Sequence, residues 1–106
     1  PRCGWGPPGE CPAAAILRVK DTEAALEVAN SLDYGLGAAL WTTDLVRAGA
    51  LARRIEAGAV STTGHAASDP RLPFGGVKQS GYGRELGVHG AREFTNVKTV
   101  WVGPAR

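Results

Sequence analysis

No stretch of this chain reaches the roughly eighteen consecutive apolar residues that a membrane-spanning helix needs, so the sequence predicts none. It does not open on the basic-then-apolar pattern of a secretory leader either. Residues 1–12 instead hold three glycines and four prolines with no hydrophobic period, and they read as irregular. Cysteine is scarce. Cys3 and Cys11 both lie in that irregular start, too few for a disulfide scaffold and without the partners of a zinc site. His65 and His89 have no cysteine, histidine or carboxylate at ligand spacing, so no metal is expected. Charge of one sign is lacking too: twelve Lys and Arg face ten Asp and Glu, spread along the chain. That excludes the clustered basic face of a nucleic-acid binder. The expectation is a protein of a reduced, cytoplasmic setting with neither nucleic acid nor membrane as partner. At 106 residues it is one domain at most, with a core of little margin.

What is present is an alternation of periods. Ala13 to Val19 is a short apolar run that reads as a buried strand. Asp21 or Thr22 offers a helix N-cap, and Ala25, Val28, Ala29 and Leu32 recur at helical spacing. Tyr34-Gly35 closes that helix. Leu36 to Trp41 reads as a second strand, and Thr42, Thr43 and Asp44 offer the next cap. Ala48, Leu51, Ala52 and Ile55 form a second helical stripe, with Gly58 as its C-terminal stop. Ala59 to Thr63 reads as a third strand, followed by a long loop over 64–82. A helix from about Arg84 to Phe94 and a strand over Val97 to Val102 complete the chain. The expected fold is therefore α/β: a β-α-β-α-β parallel open sheet, then a C-terminal helix and strand. In such a sheet the loops beyond the carboxyl ends of the strands form the binding crevice, and loop 64–82 is one of them.

That loop ends in five glycines between Gly75 and Gly87, interleaved with Phe74, Lys78, Tyr82 and Arg84. A disordered segment carries fewer aromatic and apolar residues, so an ordered loop of tight turns is expected. Gly81-Tyr-Gly83-Arg-Glu-Leu-Gly87 is one residue off the dinucleotide fingerprint, and no strand directly precedes it. No Lys followed by Ser or Thr completes a phosphate loop. Phe74, between Pro73 and two glycines, either lines a substrate pocket or plugs the loop onto the domain. Ser68-Asp69-Pro70 reads as a polar turn, or Ser68 donates a hydrogen bond into the crevice. Lys78 and Arg84 are expected as structural ion-pair partners rather than catalysts. Cys11, with no neighbouring base, reads as an ordinary thiol.

Pro73-Phe74-Gly75-Gly76-x-Lys78-x-Ser80-Gly81-x-Gly83-Arg84-Glu85-Leu86-Gly87 resembles the C-terminal signature of the aldehyde dehydrogenase superfamily. Ala29-Asn30, Tyr34-Gly35-Leu36-Gly37-Ala38, Trp41-Thr42, Glu56-Ala57-Gly58 and Phe94-Thr95-Asn96-Val97-Lys98-Thr99-Val100 match it in the same order. The resemblance runs from about Pro12 to Val102. Within the family, residues 67–78 are most similar to succinate-semialdehyde dehydrogenases. It implies oxidation of an aldehyde to an acid with NAD or NADP. A cysteine thiolate attacks the aldehyde, hydride passes to the nicotinamide, and a glutamate activates the water that releases the acid. It further implies that Phe74 lines the aldehyde pocket, that Ser68 meets the distal carboxylate, and that residues 97–102 form a strand joining a second copy. Residues 12–95 would then be a partial catalytic domain, and 96–106 the oligomerisation strand and tail.

The departures are as specific. The family's nucleophile motif, its general-base motif and its cofactor domain have no counterpart here, and Cys11 does not align with the nucleophile. Pro8 stands where the family has the glutamate that holds the nicotinamide ribose, and Glu10 is two residues out of register. Thr63 stands where many members carry Asn. Resemblance is lost abruptly at Pro12, as in a partial gene product with unrelated sequence over residues 1–11. The expectations are that the isolated chain is inactive, marginally stable and prone to self-associate. The alternative is a non-catalytic remnant or interaction module that pairs through its C-terminal strand.

Overall fold

The computed structural model describes residues 14–104. The expectations for residues 1–12 and Ala13, including those on Cys3, Pro8, Glu10 and Cys11, lie outside the described residues. The elements run α1 (Thr22–Asn30), β1 (Tyr34–Gly35), β2 (Gly37–Leu40), α2 (Leu45–Ala52), β3 (Ala59–Thr62), β4 (Val77–Lys78) and α3 (Gly87–Glu93).

Both long helices start where a short acidic side chain stands before the apolar stripe. The Ala24 N–H donates to the Asp21 carboxylate at 2.8 Å, and the Arg47 N–H donates to that of Asp44 at 2.9 Å. Each cap of this kind stabilises its helix by about 1 kcal/mol. β2 and β3 pair in parallel, from Gly37 opposite Ala59 to Leu40 opposite Thr62, with α2 as the crossover. β1 pairs antiparallel with β4, Tyr34 opposite Lys78 and Gly35 opposite Val77. The chain is thus α/β, but its sheets are two separate pairs rather than one continuous parallel sheet. Among the described residues Leu26 of α1 and Ala48 of α2 are the buried apolar side chains.

Four expectations are corrected. Residues 14–19 form no strand: Ile16 is 97% exposed, and among the described residues no backbone pairs with the segment. Residues 97–102 form none either, and Val97 and Trp101 stand exposed. In both, an apolar run alone does not make a strand, because a strand is completed by the N–H and C=O groups of a partner. The last helix begins at Gly87 rather than Arg84. Glu85 is committed to a backbone bridge with Phe74, and Leu86 takes φ 63°, ψ 165°, outside the helical region. α2 ends at Ala52 and not at Gly58. Its last turn tightens as the N–H of Arg54 reaches Leu51 O and that of Ile55 reaches Ala52 O.

Candidate functional site

The glycine-rich loop is fastened at both ends. Phe74 and Glu85 exchange two backbone hydrogen bonds of 2.8 Å, which close residues 74–85 into one unit. Inside it the Arg84 guanidinium donates to the carbonyl oxygens of Gly76 at 2.7 Å and Gly83 at 2.8 Å. Gly76 is buried, and an added β-carbon there would run into the Ser80 side chain and backbone. Glycine is required at this position for close approach, not for a turn. At the far side, the Gly35 N–H donates to Ser80 Oγ at 3.0 Å and the Gln79 N–H to Asp33 O at 2.9 Å. The loop is therefore laid onto the start of the β1–β2 segment.

Lys78 carries the second attachment. Its Nζ lies 2.7 Å from Glu56 Oε2 and donates to Asn30 O at 2.7 Å and Leu32 O at 2.9 Å. Asn30 in turn uses its whole carboxamide. Nδ2 donates to Arg54 O at 2.8 Å and Oδ1 accepts from the Glu56 N–H at 2.9 Å. The expected ion-pair role holds for Lys78. Arg84 differs: it forms no ion pair among the described residues and satisfies carbonyls of its own loop instead.

Phe74 is half-buried between two hollows. The larger, about 400 Å³, is open and lined by Leu36, Phe74, Gly76, Tyr82, Arg84 and Phe94 among others. The smaller, about 280 Å³, runs from β3 to Phe74 past Ala67, Asp69 and Leu72. Ser68 is exposed and lines neither, although its neighbours Ala67 and Asp69 line the smaller one. The structure thus brings the backbone around Ser68 to Phe74, but not the Ser68 side chain. Beyond the ends of β2 and β3, Trp41 and His65 meet edge to face with ring centres 5.8 Å apart. Among the described residues no cluster of His, Cys, Asp or Glu has the makings of a metal site.

Two further ion pairs are formed, and Asp69 of one of them lines the smaller hollow. Arg71 Nη2 and Nε donate to Asp69 at 2.6 and 2.9 Å. These bonds, with the Arg71 backbone N–H, hold the Asp69 carboxyl below the usual carboxylate range. Glu23 is lowered in the same way by the guanidinium of Arg54, tying α1 to the end of α2. Sequence reasoning assigned Asn30 and Glu56 no structural task. The signal that marks them is a polar residue at a helix end and one in a helix-to-strand connection, places where backbone groups need side-chain partners.

Residues 81–87 do not form the dinucleotide fingerprint. Gly81-Tyr-Gly83 follows a turn off the two-residue β4, not a strand that opens directly into a helix. An added β-carbon at Gly81 or Gly83 would meet no atom of the chain within 4 Å. No cofactor cradle is formed by this segment.

The comparisons with known proteins agree with one another. A profile of the aldehyde dehydrogenase family matches residues 11–100. The succinate semialdehyde dehydrogenase [NAD(P)+] Sad of Escherichia coli (strain K12) is 52% identical over 90 residues, 85% of this chain and 20% of its own length. The succinate-semialdehyde dehydrogenase [NADP(+)] 1 of Mycobacterium ulcerans (strain Agy99) is 51% identical over 92 residues, 87% of this chain and again 20% of its own. The crystal structure of succinic semialdehyde dehydrogenase from Streptococcus pyogenes in complex with NADP+ superposes with a TM-score of 0.77 at 41% identity. It covers 81% of this chain and 19% of that one. The chain therefore spans about a fifth of the length of the curated relatives it matches. The fastened glycine-rich loop, the parallel pair beneath it and a family match along nearly the whole chain have one reading: this chain belongs to the aldehyde dehydrogenase family.

Proposed function

We propose that the chain is the C-terminal part of the catalytic domain of an NAD- or NADP-dependent aldehyde dehydrogenase acting on a short acidic aldehyde such as succinate semialdehyde. The observation that carries this is the identity of 51 and 52% to two succinate-semialdehyde dehydrogenases, over a segment in which Phe74 is held between two hollows. In this reading Phe74 presents a flat apolar wall to the carbon chain of the aldehyde, which excludes water from it. Ser68 supplies a hydroxyl donor to the distal carboxylate once its loop is turned inward. The nucleophile, the general base and the cofactor site belong to the part of the protein that this chain does not span. The chain alone is therefore expected to be inactive, and its natural setting is a cytoplasmic oligomer joined through residues 97–102.

A graft tests this directly. Residues 14–104 replace the matching segment of the Escherichia coli relative, and reduction of NAD and NADP is followed with succinate semialdehyde and with an uncharged aldehyde of similar length. The expected result is activity with a preference for the acidic substrate. A folded graft that oxidises neither aldehyde, or cofactor reduction by the 106-residue chain by itself, would overturn the reading.

A second reading rests on a specific observation. Val97, Val100, Trp101 and Val102 are all at least 74% exposed on one extended segment. Such a segment suits a non-catalytic module that pairs by strand addition. The two readings part on the graft, since only the first restores turnover.

A further inference from the structure

We propose that Lys78 is a positioning residue whose anchored ammonium sets the place of the Phe74 loop and, through it, the affinity for the aldehyde. The inference deepens the reading of Phe74 as a pocket wall and rests on it. An ammonium has three hydrogens, and all three find acceptors here: Asn30 O, Leu32 O and the Glu56 carboxylate, at 2.7 to 2.9 Å. The Lys78 side chain is 26% exposed and that of Glu56 57%, so it is the three fixed acceptors, not exclusion of water, that hold the ammonium. The acceptors form one unit, because the Asn30 carboxamide spans Arg54 O and the Glu56 N–H. Two residues beyond Glu56, Gly58 packs on the carbonyl of Gly75, the residue next to Phe74. The contacts run from the ammonium to the backbone of the loop that carries Phe74.

The backbone supports the assignment. Lys78 has φ +54°, a left-handed conformation uncommon for any residue with a β-carbon. Such a conformation persists where the surroundings over-determine it, and it is found preferentially at functional sites. Here it is pinned by the pairing with Tyr34, by the neighbouring Gln79 N–H on Asp33 O, and by the side-chain anchor. The competing explanation is that Lys78 merely caps the end of α1, where cations satisfy helix carbonyls. A cap acts on stability alone, whereas a positioning residue acts on substrate affinity.

Two variants of the active graft separate these. Lys78→Met removes the ammonium and keeps the backbone strain; Lys78→Gly removes both. The expected result is a rise in KM for the acidic aldehyde of about tenfold in each, with kcat held within about twofold, the signature of lost uniform binding. A fall in melting temperature with KM unchanged would leave only the cap and overturn the proposal. So would a raised KM in Lys78→Met that Lys78→Gly restores, since that locates the effect in the strained backbone. If a Lys78 variant does not fold, Glu56→Met, which removes the carboxylate acceptor and keeps the lysine, must raise KM in the same direction or the proposal fails. Should the unaltered graft prove inactive, the reading of function has failed. Amide exchange of the 74–85 peptides then still decides the anchor: it rises in Lys78→Met or the anchor is refuted.

Discussion

A β-carbon on Gly58 would fall on the carbonyl oxygen of Gly75, so the connection into β3 and the glycine-rich loop touch backbone to backbone. No side-chain rearrangement relieves that contact. Gly58→Ala is expected to destabilise the chain by about 1–3 kcal/mol, the range for overpacking a filled site. Gly83→Ala, where the added carbon meets nothing within 4 Å, is expected to stay within about 0.5 kcal/mol of the parent. Urea unfolding followed by circular dichroism compares the two, and equal effects would refute the contact.

Phe74 and Ser68 are expected to fail differently in the graft. Phe74→Ala removes the wall between the hollows and lowers kcat/KM for both acidic and uncharged aldehydes by about tenfold or more. Ser68→Ala removes one donor to a carboxylate and lowers kcat/KM for succinate semialdehyde by about tenfold while sparing the uncharged aldehyde. The ratio of the two substrates in each variant is the measurement; a Ser68→Ala enzyme with an unchanged ratio ends that assignment.

The Asp69 carboxyl is held low by its hydrogen bonds from Arg71. Its folded-state pKa lies below its unfolded one. The stabilisation is therefore present above the unfolded value, about 3.9, and is lost as pH falls through the folded one. A carbon-detected titration of the chain is expected to place the Asp69 midpoint below the ordinary range, and Arg71→Met is expected to return it there. The Arg71 and Asp69 side chains are 86% and 31% exposed, so the effect on overall stability is small and screened by salt.

Residues 97–102 present apolar side chains to solvent. If that segment joins copies, Val100→Asp with Trp101→Lys reduces the assembly of the graft by at least one step, seen as a lower mass in light scattering. An unchanged mass would mean that the segment has another use.

Much of the architecture was legible before folding. Asp21 or Thr22 and the Thr42-Thr43-Asp44 run mark the two helix starts, where Asp21 and Asp44 prove to be the caps; the apolar runs Leu36 to Trp41 and Ala59 to Thr63 contain β2 and β3. The ion pairing of Lys78 was legible too. What misled was apolar sequence without a partner: residues 14–19 and 97–102 have the composition of strands, but among the described residues no backbone pairs with them. Arg84 misled through its charge, since its guanidinium serves carbonyls rather than a carboxylate.

By itself the sequence determined the caps, the helical stripes, the apolar runs of β2 and β3 and the family signature, because each depends on residues within one or two turns of each other or on a run of fixed spacing. Only the tertiary structure decided that Lys78 meets Asn30 and Leu32, that Ser80 receives the Gly35 N–H, and that Gly58 lies on Gly75. Those contacts join residues from 17 to 48 positions apart. Each has a backbone carbonyl or amide, which every residue carries, on at least one side, so no pattern of side chains along the sequence foretells its partner.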